Sequence, residues 1–138
     1  MIFAHHLFVL DEIENFVISH KVKYIRIDGN TLHSNRHELI NTFQNDNNCS
    51  VAILGITACA HGLTLTAAST VVFAEMYYTP AIMIQAEDRV HRIGQENHVN
   101  VHYLYGDNTV DNIILPMLFS KFNIVTSTLD QKVFVLIQ

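Results

Sequence analysis

Cysteine, proline and glycine are all scarce in this sequence, and each scarcity excludes a class of protein. The 138 residues include 2 cysteines, 2 prolines and 5 glycines. Two cysteines are too few for a disulfide-stabilised scaffold, and so little proline and glycine excludes collagen-like or linker-rich chains. Because 49% of the residues are hydrophobic and only 15% are charged, the composition also excludes intrinsic disorder. We expect one domain with a substantial core.

Basic residues and long apolar runs are missing as well. Eight basic residues against 13 acidic ones leave a net charge of −5. This charge argues against a dedicated nucleic-acid-binding module, but not against a lobe that holds nucleic acid together with another domain. Charged residues or histidines interrupt every apolar stretch before it reaches the roughly 18 residues of a membrane-spanning helix. We therefore expect no membrane as a partner.

A glycine-rich phosphate loop is also absent. No GxxxxGK[ST] pattern occurs, and no two glycines are close enough to form one. Asp11 and Glu12 follow an apolar stretch, as Mg²⁺-binding carboxylates do in nucleotide motors. Without an upstream phosphate loop they fit better as the first turns of an amphipathic helix. Cys59 and His61 lack the spacing of a four-ligand zinc site, so the sequence predicts no metal site.

Short apolar and β-branched runs alternate with stretches of helical periodicity along the chain. The predicted strands are Ile2–His5, Lys23–Asp28, Ser50–Ile56, Thr70–Glu75, Val99–Tyr105 and Lys132–Ile137. The predicted helices are Phe8–His20, one that starts at Asn35 with Glu38 three residues on, Pro80–Ile93 and Thr109–Phe122. Such alternation is typical of a parallel sheet with helices on both faces. We expect an α/β domain of three layers, αβα, with a mainly parallel central sheet.

The most informative segment is QAEDRVHRIGQ, residues 85–95. Four of its polar residues fall within about 100° of arc on one helical face: Gln85, Asp88, Arg89 and Arg92. Two arginines close together on one face present a fork of donors suited to phosphate oxygens. On spacing alone, a solvated polar face with an Asp88–Arg92 ion pair is an equally good interpretation.

This segment resembles motif VI of superfamily 2 helicases, in the form used by Swi/Snf-type ATPases. Further segments resemble other motifs of that family in the same order: FAHH at Phe3–His6, YIRIDGNT at Tyr24–Thr31 followed by Arg36, Val51–Glu75 and His102–Asn112. The nearest branch is that of the HepA-related (SMARCA-like) annealing helicases. The resemblance covers Ile2 to about Phe122, and the tail after Phe122 matches little.

The resemblance implies that residues 1–138 are the second RecA-like lobe, the helicase C-terminal lobe, of a two-lobe ATP-dependent DNA translocase. ATP and Mg²⁺ would be held mainly by the first lobe, which is the implied partner. Arg92 is the implied arginine finger, Arg89 a second phosphate contact, and Gln85 a further residue of the cleft. The other implied ATP-binding residues are Gly62, Glu75 and Asp88. The purely structural alternatives are that Gly62 is a glycine of a turn and that Glu75 is a solvated residue at the end of a strand.

On the DNA side, the resemblance implies contacts to the backbone rather than to the bases. The residues concerned are His5, His6, Thr57 and Ala58. Small residues and hydroxyl groups suit this role, since they let a chain approach phosphates without reading sequence. The alternatives are one core and one surface histidine at positions 5 and 6, and a helix N-cap at Thr57.

The sequence departs from the family at several positions and lacks the first lobe altogether. Gly55 stands where the family has Ser, Asn30 where Ser follows the DG turn, and Tyr78 where Trp precedes the proline. Because the phosphate loop and the magnesium carboxylates belong to the first lobe, we expect this lobe alone to be inactive. A catalytically inactive binding or scaffold module that retains the fold is the alternative. For a DNA repair motor that acts at replication forks, we expect a nuclear location.

Overall fold

The computed structural model describes residues 1–58, 65–88, 99–126 and 134–137. Its strands are β1 Ile2–Ala4, β2 Lys23–Ile27, β3 Cys49–Gly55, β4 Thr70–Phe73, β5 Asn100–Leu104 and β6 Phe134–Ile137. Its helices are α1 Leu7–Ser19, α2 His33–Asn45, α3 Pro80–Asp88 and α4 Asp111–Thr126. None of the described helices is long and apolar enough to cross a membrane.

The described strands form one sheet in the order β2-β3-β1-β4-β5-β6, and every neighbouring pair is parallel. Parallel strands require crossover connections, and right-handed crossovers place a helix on the face set by the direction of the crossing. Across the sheet, the connection from β1 to β2 runs in one direction. The connections from β2 to β3, from β4 to β5 and from β5 to β6 run in the opposite direction. As these rules require, α1 packs on one face and the other helices on the opposite face. The predicted three-layer α/β fold is confirmed.

The two faces have separate hydrophobic cores. The α1 face is small and joins Leu10 and Val17 of the helix to Ala4 and Ile53 of the sheet. The larger core covers the other face, where the helices contribute Leu39, Ile40, Ile82, Met83, Ile114, Leu115 and Leu118. On the sheet side, Phe3, Phe73 and Tyr103 stack ring on ring with centroids 5.0–5.1 Å apart. This stack links three adjacent strands and keeps their carboxyl ends in register.

Many predicted element ends differ from the structure by one residue, and those of α2, β4 and α4 differ by two or more. Helix α2 begins at His33, two residues before the predicted start at Asn35, and Leu32 gives it no side-chain cap. The Asn35 N–H already donates to the Leu32 carbonyl at 3.0 Å, so Asn35 lies inside the first turn. Strand β4 ends at Phe73 rather than at Glu75, and α4 extends past Phe122 to Thr126. The predicted end of the α3 helix, at Ile93, lies outside the described residues.

Candidate functional site

The order of the strands points to the space beyond β1 and β4. From β1 the chain crosses toward β2, whereas from β4 it crosses toward β5. The loops after these two adjacent strands therefore leave in opposite directions and open a crevice at the carboxyl edge of the sheet. In open α/β sheets, ligands bind in such a crevice.

A carboxylate from the loop after β4 joins the two sides of this crevice. Glu75 Oε2 accepts the backbone N–H groups of His5 at 2.7 Å and of His6 at 3.0 Å. Glu75 Oε1 lies 2.6 Å from Nδ1 of His6. Burial alone would raise the pKa of the Glu75 carboxyl, but these hydrogen bonds outweigh it and lower the pKa below its usual range. We call this set of contacts the Glu75 junction.

Aromatic rings pack beside the Glu75 junction. The ring of His5 lies 4.7 Å from that of Tyr77, which lies 4.5 Å from that of Tyr78. The Tyr77 hydroxyl donates to the Tyr78 hydroxyl at 3.2 Å, which raises the pKa of Tyr77. Tyr77 is buried and Tyr78 is exposed. Among the described residues, the buried Nδ1 of His5 has no hydrogen-bond partner. The rings hold the two loops together and leave Tyr78 open at the edge.

A guanidinium from α2 joins the loops after β2 and β3. Arg36 donates to three backbone carbonyls, those of Thr31 at 3.2 Å, Ala58 at 3.2 Å and Asp28 at 3.1 Å. The carbonyls of Asp28 and Thr31 belong to the turn after β2, whereas that of Ala58 lies past the end of β3. We call this set of contacts the Arg36 junction. It fixes the position at which the loop after β3 begins.

Beside the Arg36 junction, Asp28 is buried and holds its own turn. Its carboxylate accepts the Asn30 N–H at 2.9 Å and Nε of Arg26 at 2.9 Å. Burial would raise the pKa of Asp28, but these bonds outweigh it and lower the pKa. Arg26 in turn pairs with Asp11 and Glu14 of α1. Asp11 is therefore a structural partner of Arg26, and among the described residues no group of three or more His, Cys, Asp or Glu side chains could hold a metal ion.

The model of one protein family, described as "Helicase conserved C-terminal domain", matches residues 1–94. The chain belongs to that family. Human DNA annealing helicase and endonuclease ZRANB3 is 50% identical to it over 130 residues, which are 94% of this chain and 12% of the relative. The SWI/SNF-related matrix-associated actin-dependent regulator of chromatin subfamily A-like protein 1 of Xenopus laevis is 48% identical over 125 residues, 91% of this chain and 13% of that protein.

A solved structure supports the same assignment for this helicase C-terminal domain. The C-terminal part of the Fun30 ATPase domain superposes with a TM-score of 0.81 and 31% sequence identity, covering 85% of this chain and 38% of that one. The chain spans only 12–13% of the length of the two curated relatives named above. The resemblance to Swi/Snf-type helicases of the annealing branch is confirmed.

The structure brings together some of the site residues that the sequence predicts. Glu75, His5 and His6 meet at the Glu75 junction, with His5 half-buried and His6 exposed, so the alternative of an inner and an outer histidine matches their burial. Thr57 is exposed at the same edge, while the Ala58 side chain is buried and its carbonyl is bound by Arg36.

The motif VI residues are described only in part. Gln85 is exposed on α3, as a residue lining a cleft would be, and Asp88 is the last residue of that helix. Arg89, Arg92 and Gly62 lie outside the described residues. Their implied roles remain predictions.

Sequence reasoning missed the contacts that hold the edge together. The sequence identifies Arg36 only as part of a family segment, because its partners are backbone carbonyls, which every residue possesses. The Arg26 network carried a clearer signal, since a cation on an otherwise apolar alternating strand needs a partner on the helix that covers it. The acidic residues of α1 were the available partners.

Proposed function

We propose that this chain is the second motor lobe of an ATP-dependent DNA translocase of the annealing-helicase type. Two relatives bear on this directly: one is named an annealing helicase and the other is SWI/SNF-related. Because the chain spans 12–13% of these two, the whole motor requires parts outside this sequence. A first lobe that carries the phosphate loop is the partner we propose.

The observation that carries the proposal is the Glu75 junction. Glu75 is the residue predicted for the ATP side of the lobe, and His5 and His6 are predicted for the DNA side. Within the lobe they are joined by three contacts of 2.6–3.0 Å at the topological switch point. A motor must transmit changes at its nucleotide site to its DNA contacts, and a direct bond between the two loops provides a physical path for this.

On the nucleotide side, this lobe would supply one wall of a site completed by the first lobe. ATP and Mg²⁺, when bound, supply the phosphoryl group and the counter-charge for its transfer. We assign Arg92 as the finger that stabilises negative charge developing on the phosphate, and Arg89 as a second phosphate contact. Gln85 orients polar groups in the cleft. Gly62 and Asp88 complete the wall, and Glu75 acts through the loop it fixes.

On the DNA side, we propose contacts to the phosphate backbone by the loop at His5 and His6 and by the loop at Thr57 and Ala58. Both loops start at the carboxyl ends of neighbouring strands, since the Ile56 N–H donates to the Ala4 carbonyl at 3.0 Å. The net charge of −5 predicts that this lobe alone binds DNA weakly. Sequence-independent contacts also suit annealing activity at replication forks and in DNA repair. We propose a nuclear location for such a motor. The relatives' names favour the motor over a scaffold module.

The test is a fusion of this chain behind a matching first lobe from an annealing-helicase relative. We expect the fusion to hydrolyse ATP in a DNA-stimulated manner and the chain alone to be inactive. Arg92→Ala should lower turnover by about 10³–10⁵-fold and leave ATP binding nearly intact, because the finger acts in the transition state. Arg92→Lys should not restore turnover, since an ammonium lacks the planar fork.

Two controls accompany this experiment. Gln85→Ala should cost less than Arg92→Ala, because it removes a neutral contact rather than a charge. Glu38→Ala, at an exposed position of α2, should have no effect. Turnover of Arg92→Ala at the parent rate would contradict the finger assignment and favour the solvated-face interpretation. A well-folded fusion that binds ATP but never hydrolyses it would favour the scaffold alternative.

A further inference from the structure

The exposed face of α2 carries two histidines that none of the contacts above involves. His33 and His37 are one helical turn apart, and their ring centroids are 6.3 Å apart in an edge-on arrangement. Both side chains are exposed. Among the described residues neither ring has a hydrogen-bond partner, so both rings are free to turn toward a common ligand.

Two imidazoles at positions i and i+4 of a helix suit the chemistry of one metal ion. Residues four apart lie on the same face, with Cβ atoms about 5–6 Å from each other. Neutral imidazole is the commonest metal ligand in proteins, and His pairs at this spacing on a helix bind zinc in metalloproteases. Imidazole suits Zn²⁺, Ni²⁺ and Cu²⁺, whereas Mg²⁺ and Ca²⁺ require oxygen ligands.

We propose that His33 and His37 form a surface chelate for a divalent transition-metal ion of the Zn²⁺, Ni²⁺ or Cu²⁺ class. No group of three or more metal-ligating side chains occurs in the described part of the chain, so water would complete the coordination. The site is distinct from the ATP and DNA sites proposed above and does not depend on them.

The position of this chelate gives it a consequence for the fold. The first turn of α2 has neither a side-chain cap nor an acidic residue, and it lies directly after the turn held by the Arg36 junction. A metal bridge across His33 and His37 would fix this turn and the backbone from which Arg36 reaches its three carbonyls. A cation near a helix N-terminus and near Arg36 is disfavoured electrostatically, so the affinity should be moderate rather than tight.

The test is a titration of the 138-residue chain with Ni²⁺ and, separately, with Zn²⁺, followed by two-dimensional NMR of its backbone amides. We expect one ion per chain to perturb the signals of residues 31–41. His33→Asn or His37→Asn should weaken this binding by about tenfold or more, since a chelate loses its second, tethered contact. Both changes are at exposed positions and should leave the remaining spectrum unaltered.

A spacing control separates chelation from histidine content. The double substitution His37→Asn with Asn41→His keeps nine histidines and the same helix face. It places the pair eight residues apart, about 12 Å along the axis, too far for one ion. Loss of binding in this variant, as in the single ones, would support the chelate. Unchanged perturbation of residues 31–41 in the single variants, or none in the parent chain, would overturn it.

Discussion

The two junctions at the carboxyl edge of the sheet use opposite charges. At the Glu75 junction a carboxylate accepts hydrogen bonds from backbone N–H groups that precede α1. At the Arg36 junction a guanidinium donates to carbonyls in the turns that follow β2 and β3. Each uses one charged side chain to hold backbone from a loop distant in sequence.

The difference follows from what the backbone leaves unpaired at this edge. Where a helix begins, its first N–H groups have no partner within the helix, and the helix dipole favours a negative charge. His6 caps α1 without a side-chain hydrogen bond, and Glu75 accepts the N–H of this cap residue and of His5 before it. Where strands end, carbonyls point out of the sheet and need donors. An edge at which strand ends lie beside helix starts is therefore stabilised by charged side chains of both signs.

The strongest test of this comparison removes the Arg36 junction. Arg36→Ala should lower the free energy of unfolding by about 2–4 kcal/mol, because three partly buried carbonyls lose a charged donor. Arg36→Lys should recover little of this loss, since one ammonium cannot reach three separate carbonyls. Urea unfolding of the 138-residue chain measures both changes.

Glu38→Ala is the matched control for Arg36. It lies on the same helix, is exposed, and should change stability by no more than about 0.5 kcal/mol. If Arg36→Lys were as stable as the parent chain, the three carbonyl bonds would contribute little and charge alone would matter.

How far the sequence predicts this edge depends on which atoms make the contacts. Alternating apolar residues such as Ile25 and Ile27 identify strands, because burial on one face requires a period of two. The capping pattern at Asn35 predicts the start of α2 two residues too late, because the helix begins at His33 without a side-chain cap. Glu75 and His5 are 70 residues apart, and only the strand order places them together.

Glu75→Gln removes the charge of the other junction while keeping the shape of the side chain. We expect a loss of about 1–2 kcal/mol, since hydrogen bonds to a charged acceptor are stronger than those to an amide oxygen. Urea unfolding beside Arg36→Ala gives the ranking of the two junctions. A larger loss for Glu75→Gln than for Arg36→Ala would reverse the comparison.

Acid should weaken the Glu75 junction more than the Arg36 junction. Its pKa is lower in the folded chain than in the unfolded one, so the ionised carboxylate stabilises the fold at pH values above the unfolded pKa of about 4.3. That stabilisation is lost as the pH falls through the folded pKa. The stability difference between the parent chain and Glu75→Gln should persist above the unfolded pKa and shrink below about pH 4.

Asp28 also has a lowered pKa. The parent chain and the Glu75→Gln variant both contain Asp28, so its effect cancels in the stability difference between them. The penalty of Arg36→Ala should stay nearly constant over the same range, because a guanidinium keeps its charge in acid. A difference between parent and Glu75→Gln that did not shrink below about pH 4 would show that the ionised carboxylate does not stabilise the junction.

The smallest expected effect concerns Gly55, which ends β3 beside the Arg36 junction. An added Cβ would lie 3.4 Å from Cα of Asp28 and 3.6 Å from Cβ of Ala58, which is ordinary van der Waals contact. The φ of Gly55 is outside the left-handed region. Gly55→Ala and Gly55→Ser should therefore be neutral or stabilise the fold by at most about 0.5–1 kcal/mol, chiefly by restricting the unfolded chain.

Gly106→Ala is the matched control for Gly55, because there an added Cβ would lie 2.9 Å from Cγ2 of Thr109. Thr109 cannot move freely, since its hydroxyl donates to the Gly106 carbonyl at 2.7 Å and accepts the Asp111 N–H at 3.2 Å. We expect Gly106→Ala to cost about 1–3 kcal/mol by overpacking. Thermal unfolding of the three variants distinguishes the sites. A cost for Gly55→Ala as large as that for Gly106→Ala would mean that the Arg36 junction leaves no room at Asp28, and that the glycine is required where the family has serine.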